Sequence, residues 1–146
     1  MALLAAAQAV MSVPVTPAPA LPPVTGGYSI VVARAVSQSD PIPIACGAEF
    51  CTSWFLGKFD RAQTVAGEPL PAEFVARLEM GSPYIDQYSL AMIVEHLPDG
   101  TRRVRATRGH DSRSGLACFD VPDTEKLTPQ PTGERIVRQG RQVCVK

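Results

Sequence analysis

The side chains of this chain that could do chemistry are concentrated between residues 101 and 115. Five arginines fall within twelve positions, and a Gly-His-Asp-Ser-Arg-Ser-Gly stretch follows at residues 109–115. Guanidinium groups suit phosphate and carboxylate because their N–H donors match the paired oxygens of these anions. A His, an Asp and two Ser are also the side-chain types of a hydrolytic site. These two motifs define the chemical hypotheses that the rest of the sequence must support.

The first hypothesis is an anion-binding surface on the arginine-rich hairpin at residues 101–113. Its candidate residues are Arg102, Arg103, Arg105 and Arg108, and its ligand would be a polyanion such as an acidic sugar or a lipid headgroup. The alternative, which we favour, is that these charges keep an exposed edge strand from pairing with other chains. Few aromatic residues accompany the arginines, so we expect no nucleic-acid partner.

The second hypothesis is a small hydrolase that uses the loop at residues 109–115. Catalytic groups usually come together from separate parts of a fold, with the nucleophile held on a rigid turn of its own. Gly, Ser, Asp and His are also ordinary loop residues. We therefore expect no catalysis from His110 and its neighbours, and we expect His96, beside Glu95 at a strand end, to be a surface residue.

Four cysteines, Cys46, Cys51, Cys118 and Cys144, predict two disulfides. Four cysteines allow three connectivities, of which we favour Cys46–Cys51 around a turn and Cys118–Cys144 tying the last strand to the barrel. A zinc site is the alternative, but structural zinc prefers two tight cysteine pairs, and only one loose pair is present. The sequence predicts neither a metal nor a cofactor.

The N-terminal part has the composition of an export signal and a linker. No charged residue precedes Arg34, the chain opens with an apolar Ala- and Leu-rich run, and A-x-A sequences end at Ala9 and Ala20. Five prolines follow between residues 13 and 27, and they favour extended backbone. The interpretation is a leader and linker at residues 1–27 and a periplasmic or secreted protein. The apolar run has no preceding Lys or Arg, so an Ala-rich tail of a cytoplasmic protein is the alternative.

The remaining residues, 28–146, suit a single domain. The chain has 146 residues and a net charge of zero, but residues 1–100 carry a charge of −5 and residues 101–146 a charge of +5. An asymmetry of this kind is found in anion-binding proteins. We favour the simpler interpretation that the two halves pack together and neutralise each other.

Turn residues divide the domain into short strands. β-Branched residues predict a strand at 28–37, and residues 51–67 predict a strand pair or one long strand bent at Gly57. Residues 72–80 fit a strand or a short helix, and we favour the strand. The Pro-Asp-Gly sequence at 98–100 predicts a hairpin whose first strand, apolar on both faces, is central. A second, shorter hairpin is predicted near the C-terminus.

The order of these elements resembles that of the secreted OB-type barrels of the netrin and tissue-inhibitor class. The matching segments are Ile30–Val36, Lys58–Gly67, Phe74–Met80 and Ser89–Thr107. The resemblance implies an all-β fold, a small antiparallel OB-like barrel or sandwich, and it carries no diagnostic motif. The sequence therefore predicts an exported, non-catalytic binding or structural module. Its partner is unknown and is expected to be an anionic ligand or another exported protein, and no transmembrane segment is predicted.

Overall fold

The computed structural model describes residues 26–43, 53–80 and 89–146. The predicted leader and the Cys46–Cys51 pair lie outside these ranges. In chain order the elements are β1 (Tyr28–Gln38), β2 (Ile42–Pro43), β3 (Ser53–Gly67), β4 (Phe74–Met80), β5 (Ser89–His96), β6 (Arg102–Arg108), β7 (Ala117–Phe119), α1 (Val121–Thr124), β8 (Ile136–Gln139) and β9 (Gln142–Val145). No helix within the described ranges has the length and apolar character needed to cross a membrane.

Five strands form a closed barrel in the order β1-β5-β6-β4-β3, and the pairing of β1 with β3 closes it. The short strand β2 adds to the edge of β3. This confirms the prediction of a small all-β barrel. One pairing departs from the expected antiparallel pattern, because β4 and β6 pair in parallel. Strand β5 lies between them in the chain and runs antiparallel to β6. Strands β4 and β6 therefore run in the same direction where they pair.

The inside of the barrel is filled by alternating residues of its five strands. Phe59 and Phe74 stack with their ring centroids 5.0 Å apart. Around them pack the other buried residues of this cluster, Val31, Ala33, Ala35, Phe55, Ala76, Leu78, Met92, Val94 and Val104. Residues 74–80 are a strand because Phe74, Ala76 and Leu78 enter this core while the residues between them point outward.

A second core lies outside the barrel, under a three-stranded sheet of order β7-β9-β8. The barrel contributes Ile30, Ala91, Ile93 and Ala106, and the C-terminal part contributes Ala117, Phe119, Leu127, Val143 and Val145. This second core explains why β5 is apolar on both faces. One face packs inside the barrel and the other packs against the C-terminal sheet, as expected for a central strand.

The disulfide Cys118–Cys144 is present and joins directly opposite residues of β7 and β9. This confirms the second of the two favoured pairings. The expectation that this bond ties the last strand to the barrel was wrong, because both cysteines belong to the C-terminal sheet. The bond therefore holds together the layer that covers the second core.

Strand β3 is a single strand of 15 residues, as one of the two alternatives predicted. Its irregularities do not lie at Gly57, which pairs in regular register with Ala76. They lie where extra residues of β3 face β1 between Ile30 and Arg34, near Arg61 with its φ of 53°, and at Val36, an extra residue of β1 opposite Lys58 and Phe59. Gly57 has a packing role instead, because a Cβ there would overlap the side chains of Leu78 and Phe59.

Candidate functional site

The predicted anion-binding arginines are divided among three places. Arg103 donates to Glu95 Oε2 through Nε at 3.0 Å and Nη2 at 2.7 Å, and Arg105 Nη1 lies 3.2 Å from the same oxygen. The side chains of Glu95 and Arg105 are only 7% and 3% exposed. Two of the four candidate arginines therefore neutralise a buried carboxylate on the outer wall of the barrel.

The other two arginines differ from each other. Arg108 donates to Asp120 and Asp123 at the start of α1, so its charge is also compensated. Arg102 has no ion pair in the described part of the chain, and it lies beside the turn between β5 and β6. The hairpin therefore presents a single uncompensated guanidinium at this place rather than a row of four.

In the loop at residues 109–115, the side chain of Asp111 shapes the backbone. Its Oδ1 accepts hydrogen bonds from the backbone N–H of Arg113 at 2.9 Å and of Ser114 at 2.8 Å, and from the Ser114 hydroxyl at 3.1 Å. These donors favour the ionised form and lower the pKa of Asp111. His110 is exposed and makes no hydrogen bond within the described ranges. The loop does not bring its His, Asp and Ser side chains together as a hydrolytic site would.

A different Ser, His and Glu meet where β1 enters the barrel. Ser29 Oγ lies 2.7 Å from His96 Nε2, and His96 Nδ1 lies 3.9 Å from Glu68 Oε2. The Ser29 hydroxyl donates its only proton to the Glu68 carbonyl, so it accepts from Nε2–H rather than donating to it. Ser29 is also fully buried. This arrangement therefore joins three segments and offers no accessible nucleophile.

A groove on the outer face of β3 and β4 brings apolar and cationic side chains together. It has a volume of about 480 Å³ and is bounded on one side by the turn between β5 and β6. We call it the outer groove, and its lining residues are Trp54, Leu56, Val75, Ala76, Arg77, Asp99, Gly100, Thr101 and Arg102. Its volume lies within the range of about 300–1,000 Å³ that is typical of ligand sites.

The floor of the outer groove combines apolar and cationic side chains. Leu56 and Val75 point away from the barrel core and are 42% and 47% exposed. The guanidinium carbon of Arg77 lies 4.7 Å from the centroid of the half-buried Trp54 ring, which is a cation–π contact. Arg77 Nη2 also pairs with Glu79 Oε1 at 2.7 Å. The ring and both aliphatic side chains remain available to a ligand.

Two hydrogen-bond donors of the outer groove lack partners. The Nε atoms of Arg77 and Arg102 are buried and make no hydrogen bond within the described ranges. A buried donor left without an acceptor costs about 1–3 kcal/mol. Because both Nε atoms are closed to solvent, a ligand in the groove would reach these arginines through the terminal nitrogens of their guanidiniums rather than through Nε.

The turn that forms the wall of the outer groove is held in a defined shape. Asp99 Oδ1 accepts from the Thr101 backbone N–H at 2.9 Å and from the Thr101 hydroxyl at 2.6 Å. These hydrogen bonds lower the pKa of Asp99. Gly100 has a φ of +83°, a conformation that glycine adopts without strain. The Pro-Asp-Gly sequence therefore places a rigid wall beside Arg102.

Local sequence patterns do not reveal the outer groove. The available signal was weak: Trp54, Leu56 and Val75 alternate with core residues, a pattern that predicts only which strand face they share. That β3, β4 and the hairpin turn meet depends on barrel closure, which no local pattern contains. Within the described ranges, no three His, Cys, Asp or Glu side chains are placed to hold a metal ion.

Comparisons of the chain with protein-family models, with curated proteins and with solved structures found no match.

Proposed function

We propose that this protein is an exported, non-catalytic binding module that holds an extended segment of a partner polypeptide in the outer groove. The observation that carries the proposal is the convergence, in one groove, of an aromatic ring, two exposed aliphatic side chains and the guanidinium of Arg102, which has no ion pair within the described ranges.

A polypeptide ligand fits the chemistry of this groove. Binding sites combine apolar contact area with a few polar groups that fix orientation. An extended peptide presents both, since its side chains can pack on Leu56 and Val75 while its carbonyl oxygens accept from arginine N–H donors. An acidic side chain in the peptide would add a charge-assisted hydrogen bond to Arg102, which has no ion-pair partner in the described ranges.

Export is supported by the disulfide Cys118–Cys144, because such bonds persist in oxidising compartments and are rare in the cytosol. The leader-like composition of the N-terminal residues agrees with export. The arginine-rich hairpin gives less support to polyanion binding, since Arg103, Arg105 and Arg108 are paired with carboxylates.

The test is selection of a display library of random 12-residue peptides against the full chain. We expect enriched peptides to lose at least about tenfold in affinity, or ~1.4 kcal/mol, when the groove is changed by Leu56→Glu or Arg102→Ala. Arg113→Ala is the matched control, because Arg113 is exposed and lies in the loop at 109–115.

Two results would contradict the proposal. One is a selection that yields no peptide whose binding depends on Leu56 and Arg102. The other is an affinity for heparin that exceeds that of every selected peptide and falls in Arg103→Ala and Arg105→Ala rather than in Leu56→Glu, which would favour the polyanion alternative.

A further inference from the structure

We propose that, in the absence of a partner, the outer groove is occupied by a segment of the same chain, the proline-rich residues 13–25. This inference rests on the proposed function because it concerns the same groove. It adds that residues 13–25 compete with a partner polypeptide for that groove.

The proline-rich segment has the composition of a polypeptide that docks on aromatic grooves. Its prolines at 14 and 17, and again at 19 and 22, have the P-x-x-P spacing. Segments with this spacing form the polyproline II helix and bind to aromatic-lined surfaces at low entropic cost. Cleavage after Ala9, the first of the two A-x-A sequences, would leave the whole segment attached to the domain.

The segment and the groove are complementary in their hydrogen-bonding groups. A polyproline II helix has no internal hydrogen bonds, so its carbonyl oxygens are free, and each proline lacks an N–H. The groove offers donors instead, because the guanidinium of Arg102 lines it and has no ion pair within the described ranges. The segment has no charged residue, so it brings no like charge to Asp99 or to Arg102.

The chain enters the barrel close to the wall of the groove. The backbone N–H of His96 donates to the Gly27 carbonyl at 3.0 Å, and His96 is the register partner of Arg102. The segment therefore leaves the barrel next to the end of the β5–β6 hairpin, whose turn lines the groove.

The length of the segment is sufficient to cross the groove. Register pairs connect Tyr28 through Glu95 and Arg103 to Arg77. These are three interstrand steps, about 14 Å along the barrel wall at ~4.8 Å for each step. Thirteen residues in a polyproline II helix extend over about 40 Å.

Trp54 makes the proposal directly measurable because it is the only tryptophan of the chain. The experiment compares acrylamide quenching of its fluorescence in the full chain and in a variant with Pro14→Ala, Pro17→Ala, Pro19→Ala and Pro22→Ala. We expect the variant to show a larger quenching constant and an emission maximum at longer wavelength. The matched control, Gln8→Ala with Ser12→Ala, changes residues outside the segment and should leave both values as they are.

A second arm tests whether the segment acts through the groove. In a Leu56→Glu background the segment can no longer pack there, so the four proline changes should have no further effect on quenching. The effect should also be independent of protein concentration over about two orders of magnitude, as an intramolecular contact requires.

Two outcomes would overturn the inference. One is equal quenching in the full chain and the proline variant. The other is a concentration-dependent difference, which would mean that a second copy supplies the segment. Groove-dependent binding of selected library peptides with unchanged quenching would refute this inference alone, whereas proline-dependent quenching without any selected peptide would refute the proposed function alone.

Discussion

The barrel has two outer walls that differ in what covers them. On one wall, outward-facing residues such as Ile30, Ile93 and Ala106 are buried under the C-terminal sheet. On the other wall, Leu56 and Val75 also point outward, and nothing within the described ranges covers them. Strand β3 contributes to both walls, with Ala66 on the covered wall and Leu56 on the uncovered one, and packing within the described ranges explains only the first.

Four large hydrophobic side chains are exposed in the described ranges, and two of them, Leu56 and Val75, lie in the outer groove. The other two are Val36 of β1 and Ile42 of β2. Contiguous exposed apolar surface rimmed by polar residues marks an interaction site. The difference between the walls therefore separates residues that stabilise the fold from residues available for binding.

The largest expected effect compares one residue from each wall. Phe119 is fully buried under the C-terminal sheet, so Phe119→Ala should lower the free energy of unfolding by about 3–5 kcal/mol. Leu56→Ala on the uncovered wall should change it by no more than about 0.5 kcal/mol. Urea unfolding of both variants measures the two values. Equal losses would mean that Leu56 is buried by a part of this chain and that the distinction fails.

The buried ion pairs of Glu95 should give an effect of similar size at the rim of the covered wall. Glu95→Gln removes the carboxylate that compensates Arg103 and Arg105, and breaking a buried pair in this way costs about 3–5 kcal/mol. Arg108→Gln is the control, because its partner Asp120 is exposed and such pairs contribute at most about 1 kcal/mol. A loss no larger than that of the control would show that the Glu95 cluster is solvated.

Removing the disulfide should weaken the covered wall and leave the outer groove intact. The cysteines are 26 residues apart, and a loop of this length corresponds to about 3–4 kcal/mol on the chain-entropy model. We expect Cys118→Ala with Cys144→Ala to unfold at a lower urea concentration while selected peptides still bind under native conditions. Peptide affinity that falls in parallel with stability would place the groove and the C-terminal sheet in one cooperative unit.

How far the sequence anticipates these features depends on whether their cause is local. The Pro-Asp-Gly turn and the two apolar faces of β5 follow from neighbouring residues, and both were confirmed. The choice between helix and strand at residues 74–80 depended on whether alternate side chains enter a barrel. The pairing of β1 with β3 and the parallel contact of β4 with β6 join distant segments, and turn chemistry contains no information about them.

The same reasoning explains why the candidate residues of the outer groove differ from those that the sequence suggests. The adjacent residues at 109–115 attracted attention because they are close in sequence, yet Asp111 serves the backbone of its own loop. Trp54, Arg77 and Arg102 come from three strands and meet only after the barrel closes. Proximity along the chain therefore does not indicate which side chains the barrel brings together.

The smallest expected effect concerns the seam where β1 meets β3, between the two walls. Arg34 donates to both carboxylate oxygens of Asp60, at 2.9 Å from Nε and 2.6 Å from Nη2. These hydrogen bonds hold the pKa of Asp60 below its ordinary value of 3.8. A carboxylate whose pKa is lower in the folded state stabilises the fold above the unfolded pKa, and this contribution is lost as the pH falls through the folded pKa.

Asp60→Asn should therefore remove part of the acid-induced loss of stability below about pH 4 and lower stability only slightly at neutral pH. Thermal unfolding of both proteins at a series of pH values measures the difference. Asp40→Asn is the control, because Asp40 is exposed and has no ion pair in the described ranges. If both variants reduce the acid-induced loss of stability equally, the Arg34–Asp60 pair has no special electrostatic role at the seam. The two walls would then be joined by the backbone pairing of β1 and β3 alone.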